Sequence, residues 1–244
     1  MASTHAWADL APHVPVGPVA ALCAHERVVR GEAVDAATVP GAEVLGLPLA
    51  LQGWESEYLV ASYRPDRVDA AGPDPIRGRS LPDTAGWEPV DDPEVTEAWR
   101  DLVRPWTAQS EGRARIAAVL GDAPGAIAAL GGEAPRGARI DGAEALVIMA
   151  WAGASGGARG RRRGAAAGRD RAWAAAAAIA GFPADDPPDP DALGAAVAEL
   201  RWYAWDASDL GSGSGWVLRL AVEDPVEGLA WAIDASDRGE RSGA

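Results

Sequence analysis

The sequence predicts an α+β fold: a helical middle region packed on a small antiparallel sheet built mainly from C-terminal strands. Three observations lead there. Apolar residues recur at helical spacing, behind capping signals, through residues 94–200. Two-residue alternation takes over near the C-terminus, where Trp216, Leu218, Leu220 and Val222 interleave with Val217, Arg219 and Ala221. Six prolines between residues 64 and 93 separate both from a weakly patterned start.

Each element has its own signal. Within residues 1–63, strand-like runs at 44–51 and 57–63 flank Gln52-Gly53-Trp54 and read as a hairpin. Residues 64–93 read as a long exposed connection. Asp92 then supplies an N-cap and Pro93 a first-turn proline. Val95, Trp99, Leu102, Val103 and Trp106 follow at helical spacing. Ile116, Val119 and Leu120 predict a second helix, closed by Gly121, and residues 124–130 a short third. Asp141 and Glu144 form a capping box that opens an apolar helix over 145–154. Another helix begins within a Gly-Arg segment and ends at Gly181. An acidic, proline-rich exposed run covers 183–191, where Asp189 caps Pro190 for a helix reaching Leu200.

The strands are predicted at 201–206, 216–223 and 228–235. Folding the last two about Asp224-Pro225-Val226-Glu227 pairs Val222 with Leu229, Leu220 with Trp231 and Leu218 with Ile233 on one buried face. The second face is then left half exposed, with Asp234 diagonal to Arg219. Trp202 and Trp205 point to opposite faces, so one of them is expected at the surface. Residues 1–236 read as one domain and 237–244 as a flexible tail.

Composition removes whole classes of chemistry. The 244 residues carry a net charge of −14, and all 22 basic residues are Arg. Without Lys there is no Schiff base, no Walker-A phosphate loop and no kinase-type lysine. The single Cys23 excludes an internal disulfide. Cys23 and His25 together fall short of the four ligands a structural zinc needs. His5, His13 and His25 are the only histidines, and no nucleophile elbow accompanies them. No metal and no cofactor is expected. The longest apolar runs, 145–154 and 172–182, are far shorter than the roughly 20 residues of a membrane span. With no signal peptide visible, the expected location is the cytoplasm. Eleven Trp against one Phe make tryptophan the main aromatic of the core.

One segment invites a functional argument. Residues 155–173 hold six arginines (Arg159, Arg161, Arg162, Arg163, Arg169, Arg171) and one acid, Asp170, for a local charge of +5 that leaves −19 on the remainder. Its glycines fall at 156, 160, 164 and 168. A continuous helix would make them a smooth stripe. A break would place a glycine-rich turn before a new helix N-terminus, where free N–H groups and arginines favour an anion. The cost of about 1 kcal/mol per interior glycine favours the break. Arg169 and Trp173, four apart, are placed for a cation–π pair. Internal ion pairing against the −19 remainder accounts for the arginines as well as a ligand does.

The residues from Gly156-Gly157-Ala158 through Gly168-Arg169, together with 216–237, resemble an uncharacterised family of actinobacterial proteins, a domain of unknown function. The resemblance is firmest over 140–237. It implies that the Gly-Arg segment and the C-terminal hairpin belong to one fold, and it brings no activity.

The leading reading is a non-enzymatic binding or interaction module. Arg159, Arg161, Arg162, Arg163, Arg169, Gly156, Gly157 and Gly160 are its candidate contact residues for an anionic small molecule or an acidic protein partner. The alternative is an enzyme acting on an anionic or phosphorylated small molecule, with arginines as the clamp and carboxylates near Asp234 as acid and base. Asp206, Asp209, Glu223, Asp224 and Asp237 complete that carboxylate set. Nucleic acid is disfavoured by the global negative field. No membrane contact and no particular oligomeric state is assigned.

Overall fold

The structure, a computed structural model, describes residues 5–39, 45–59, 62–63, 68–69, 79–84, 86–131, 136–186, 188–206 and 216–237. Helices α1 (Trp7–Leu10) and α2 (Pro18–Val28) precede four two-residue strands, β1 (Ser62–Tyr63), β2 (Val68–Asp69), β3 (Arg79–Ser80) and β4 (Glu88–Pro89). Then come α3 (Pro93–Leu102), α4 (Arg104–Ala108), β5 (Arg113–Leu120), α5 (Ala123–Ala129) and β6 (Arg136–Ile140). The chain continues through α6 (Gly142–Ala154), α7 (Ala165–Ile179), α8 (Pro190–Glu199), β7 (Arg201–Asp206), β8 (Trp216–Asp224) and β9 (Leu229–Asp237). Among the described residues, seven strands make one antiparallel sheet in the order β3-β6-β7-β8-β9-β5-β4. The α+β expectation holds, and the three C-terminal strands stand at the centre of the sheet.

The caps read from the sequence form as expected. Asp92 accepts from Val95 N–H, Asp141 from Glu144 N–H, and Asp189 from Asp191 and Ala192 N–H. Residues 145–153 of α6 are all buried. A helix apolar all round must be covered all round. α6 lies between β7 and β8 on one side and α7 on the other, with α3 beside it. α5 covers the opposite face of the sheet, packing on β5, β8 and β9.

That second helical layer explains three departures from the sequence expectations. The run expected as a helix at Ile116, Val119 and Leu120 is strand β5, paired with β9 over all eight of its residues. Ala114 and Ile116 pack in the core cluster under α6, while Ala117 and Val119 pack with α5. Apolar packing against both layers removes the alternation that would have marked a strand. Trp202 and Trp205 are both buried, one on each face. Arg219 and Asp234, expected on a half-exposed face, are both buried, and a two-residue shift in register sets them directly opposite each other rather than diagonal.

The hairpin forms in a register shifted by two residues. Val222 pairs with Trp231, Leu220 with Ile233, Leu218 with Ala235 and Trp216 with Asp237. A shift of two keeps the same side chains on the same face, so burial alone does not choose between the registers. The turn does: Asp224 Oδ1 accepts from Val226 and Glu227 N–H, and Gly228 takes a left-handed φ of 67°. The longer ladder draws Asp237, expected to begin the tail, into β9 as a buried residue. Residues 238–244 lie outside the described residues.

The N-terminal hairpin is also corrected. No strand occurs over 45–59, and Tyr63 pairs with Val68 in the small β1–β2 ladder. The carbonyls of Pro48 and Ala50 accept hydrogen bonds from Arg169 of α7 instead of a partner strand. The connection at 64–93 contributes β3 and β4, which close the two edges of the sheet with only two residues each. Short edges deny other chains a template for pairing.

Candidate functional site

The Gly-Arg segment divides into a loop and a helix. α6 ends at Ala154, Ser155 turns extended, and α7 starts at Ala165 behind Gly164. The break, not the continuous helix, is realised. Its glycines allow close approach of backbone to backbone. A Cβ on Gly156 would overlap the Gly160 carbonyl, and one on Gly160 would overlap that of Gly156 and lie 2.6 Å from Pro105 O. Gly157 has φ +65°, and a side chain there would strike the Asp237 carboxylate. Gly168 rests on α6, where a Cβ would overlap Ala150 O and lie 2.8 Å from the Ala154 Cβ.

The loop is tied down at several points. Ala158 N–H donates to Asp237 Oδ2 at 2.6 Å, Arg161 N–H to Gln109 Oε1 at 2.9 Å, and Arg163 N–H to Ala154 O at 3.0 Å. The buried Ser155 hydroxyl oxygen accepts from Trp106 Nε1–H at 2.6 Å and from Gly157 N–H at 3.3 Å. Trp106 in turn meets Trp151 and Trp216, whose rings stack with centroids 5.0 Å apart.

Of the six arginines, Arg169 is fully buried, and Arg163 and Arg171 are half-buried. Arg169 and Glu55 have 0% side-chain exposure each and form a two-pronged pair, Nε to Oε1 at 2.9 Å and Nη2 to Oε2 at 2.7 Å. Trp173 Nε1–H and Tyr58 O–H also donate to Glu55 Oε1. Burial pushes the Glu55 carboxyl up, but the Arg169 hydrogen bonds and charge outweigh it and hold it below the usual carboxylate range. Burial and the neighbouring Glu55 push the Tyr58 phenol well up. The Arg169 guanidinium lies 5.2 Å from the Trp173 ring centre, the cation–π pair expected from the spacing. Arg163 Nη1 donates to Asp101 O at 2.6 Å, and Arg171 Nε lies 2.5 Å from Asp101 Oδ2.

The other three, Arg159, Arg161 and Arg162, are exposed at the outer turn of the loop. Arg159 reaches Glu111 at 3.1 Å, but the two side chains are 52% and 63% exposed. Such a pair is worth little in water. The N-terminus of α7, the anion position the sequence suggested, is met by the chain's own Glu26: its Oε1 accepts from Ala166 N–H at 2.9 Å, and Arg30 pairs with its Oε2 at 2.7 Å.

The carboxylates of the alternative reading have structural partners. Asp234 sits between Arg115 at 2.6 Å and Arg219 at 2.9 Å. Burial raises its pKa, and the two arginines overcome that and lower it. A carboxylate clamped by two guanidiniums is a poor proton shuttle at neutral pH. Asp206 pairs with Arg219, Glu223 with Arg201, and Asp224 caps the hairpin turn. Asp209 lies outside the described residues. Among the described residues, no group of three or more His, Cys, Asp or Glu is placed to hold a metal. A cleft of about 320 Å³ between α6 and α8, lined by Trp54, Arg139, Asp141, Gly142, Gly194 and Val197, contains none of the Gly-Arg arginines.

The sequence pattern of a family of unknown function, DUF6183, matches residues 1–238. The chain belongs to DUF6183. No curated relative and no solved structure matches it. DUF6183 membership takes in the Gly-Arg loop, the C-terminal hairpin and the N-terminal region together, whereas the resemblance in the sequence was firm only from about residue 140. Among the described residues of this DUF6183 chain, no helix is long and apolar enough to cross a membrane. Sequence reasoning missed the partners that shape the loop: Glu26, Glu55, Asp101 and Gln109. Each comes from a distant stretch, and three of them are single carboxylates among 36 acidic residues, which no local spacing singles out.

Proposed function

We propose that this DUF6183 chain is a non-enzymatic, cytoplasmic interaction module, one domain over residues 1–236, whose Gly-Arg loop binds an acidic protein partner through Arg159, Arg161 and Arg162. The observation that carries the reading is the division among the six arginines. Arg169 is fully buried and Arg163 and Arg171 are half-buried beside Asp101, while the side chains of Arg159, Arg161 and Arg162 are exposed on a turn whose backbone is pinned at 158, 161 and 163. A pinned loop loses little conformational entropy on binding, so more of its contact energy appears as affinity. Guanidinium forks suit carboxylates, and an exposed turn suits a surface rather than a small anion. Gly156, Gly157 and Gly160 serve this reading by letting the turn close.

The enzyme reading would need exposed arginines beside a free carboxylate in a concave site. The two readings separate in a titration of the full chain with a polyglutamate peptide at low ionic strength. The expected result is saturable binding that weakens as salt rises and is lost in the triple variant Arg159→Ala, Arg161→Ala, Arg162→Ala, with melting temperature nearly unchanged. Equal binding by the triple variant overturns the proposal. An arginine-dependent thermal shift with phosphate or nucleotides, and none with the peptide, brings the enzyme forward.

A further inference from the structure

We infer that Glu111 is a built-in competitor at the Gly-Arg loop: its carboxylate occupies Arg159 in the free chain and is displaced when the acidic partner binds. The inference rests on the proposed function and concerns the regulation of that same surface. Arg159 Nη1 donates to Glu111 Oε1 at 3.1 Å, from 48 positions away in sequence.

The turn that carries Glu111 is tied into the fold on both sides. Gly112 N–H donates to Trp106 O at 2.9 Å, and a Cβ on Gly112 would lie only 2.7 Å from that oxygen. Gln109 Oε1 accepts from Arg161 N–H at 2.9 Å. Next to Arg159, Ala158 N–H is held by Asp237 Oδ2. Guanidinium and carboxylate therefore meet from two anchored backbones, and little entropy is lost in bringing them together.

The two contacts of the turn hold different things. Gln109 holds the loop backbone, which stays in place when a partner arrives. Glu111 holds a guanidinium that the partner needs. The Arg159 and Glu111 side chains are 52% and 63% exposed, so a second carboxylate can reach the arginine. The Arg169–Glu55 pair, with both side chains fully enclosed, allows no such exchange. Arg161 makes no ion pair with a described residue, so its side chain has no carboxylate to give up. At Arg159 one carboxylate replaces another, and the strength of the internal pair is subtracted from the partner's gain. An exposed pair is worth at most about fivefold in an equilibrium constant, which is weak enough to be displaced and strong enough to be measured.

The test is the polyglutamate titration at low ionic strength, run on the wild type and on Glu111→Gln, each also in the Arg159→Ala and Arg161→Ala backgrounds. Glutamine keeps the size of the side chain and removes its charge. The expected result is binding about two- to fivefold tighter in Glu111→Gln, at nearly unchanged melting temperature. The gain is expected to vanish with Arg159→Ala, where no pair is left to break, and to persist with Arg161→Ala. A gain of equal size in all three backgrounds is a general effect of removing one negative charge; it overturns the inference and leaves the proposed function standing. Unchanged or weaker binding by Glu111→Gln overturns it as well, with the same consequence. If neither the wild type nor Glu111→Gln binds the peptide, the inference and the proposed function fall together.

Discussion

Glu55 illustrates what burial demands of a charge. It lies with its side chain fully enclosed, and four donors converge on its two oxygens: Arg169, Trp173, Tyr58 and the Gln52 N–H. Replacing one member of a buried pair strands the other, at about 3–5 kcal/mol. Arg169→Ala is therefore expected to lower the unfolding free energy by about that amount, read from the denaturant midpoint. Arg161→Ala, on the exposed turn, is expected to stay within about 0.5 kcal/mol. Both arginines lie in the same sequence run, and nothing local distinguishes them. The Arg169–Trp173 contact was legible because it is four residues apart on one helix. Glu55 was not, because its distance along the chain carries no pattern. A second pair of carboxylates makes the same point with opposite signs. Burial raises the pKa of Asp170 beyond what Arg171 and Arg163 restore, whereas Arg115 and Arg219 lower that of Asp234 despite burial. Asp170→Asn is expected to raise the melting temperature at pH 7, and Asp234→Asn to lower it.

At the scale of the element, Gly168 sets helix propensity against packing. In an isolated helix, alanine in its place would add about 1 kcal/mol. In α7 the new methyl would drive into Ala150 O of α6 and lie 2.8 Å from the Ala154 Cβ. Backbone cannot yield as a side-chain end does, and overpacking costs about 1–3 kcal/mol. Gly168→Ala is thus expected to destabilise the protein, with a lower denaturant midpoint at unchanged slope; a gain in stability would mean that α6 and α7 are not in this contact. Helices with caps were the most legible elements, because Asp92, Asp141 and Asp189 announce them within four residues. Strand β5 was the least legible. Its apolar positions 116, 119 and 120 match helical spacing by coincidence, since a strand that packs apolar residues against both layers has no reason to alternate. The hairpin lies between these cases: its facing was readable from alternation, and its register was not, because a two-residue shift preserves the face.

At the scale of the whole molecule, the decisive fact is that both faces of the sheet are covered, α6 and α3 on one side and α5 on the other. Burial on the α5 side takes Arg219 and Asp234 inside, as packing under α7 takes Arg169 and Glu55, so two carboxylates of the folded chain sit in guanidinium clamps. Their pKa values are lowered in the fold and ordinary in the unfolded chain. The unfolded state then binds more protons as pH falls, and stability declines with it. The contribution of both groups is fully present above the ordinary carboxylate range near pH 4, and is lost as pH drops through the lower folded values. Asp170, with its raised pKa, works against this, because its protonation on acidification relieves the fold. Glu32, also held low by hydrogen bonds from Arg27 and from Trp7 N–H despite desolvation, acts in the same direction as the two clamps, and Asp170 acts against all three. The net charge of −14 shrinks over the same interval, which relieves self-repulsion, but repulsion between exposed charges is screened by salt and buried clamps are not. Melting temperature is therefore expected to hold from neutral pH to about 5 and to fall steeply below about 4, with little dependence on added salt. In Asp234→Asn one titrating clamp is gone, so the acid limb is expected to be shallower than in the wild type although the variant starts from a lower melting temperature. An equal or steeper limb would place the acid sensitivity elsewhere than in these clamps.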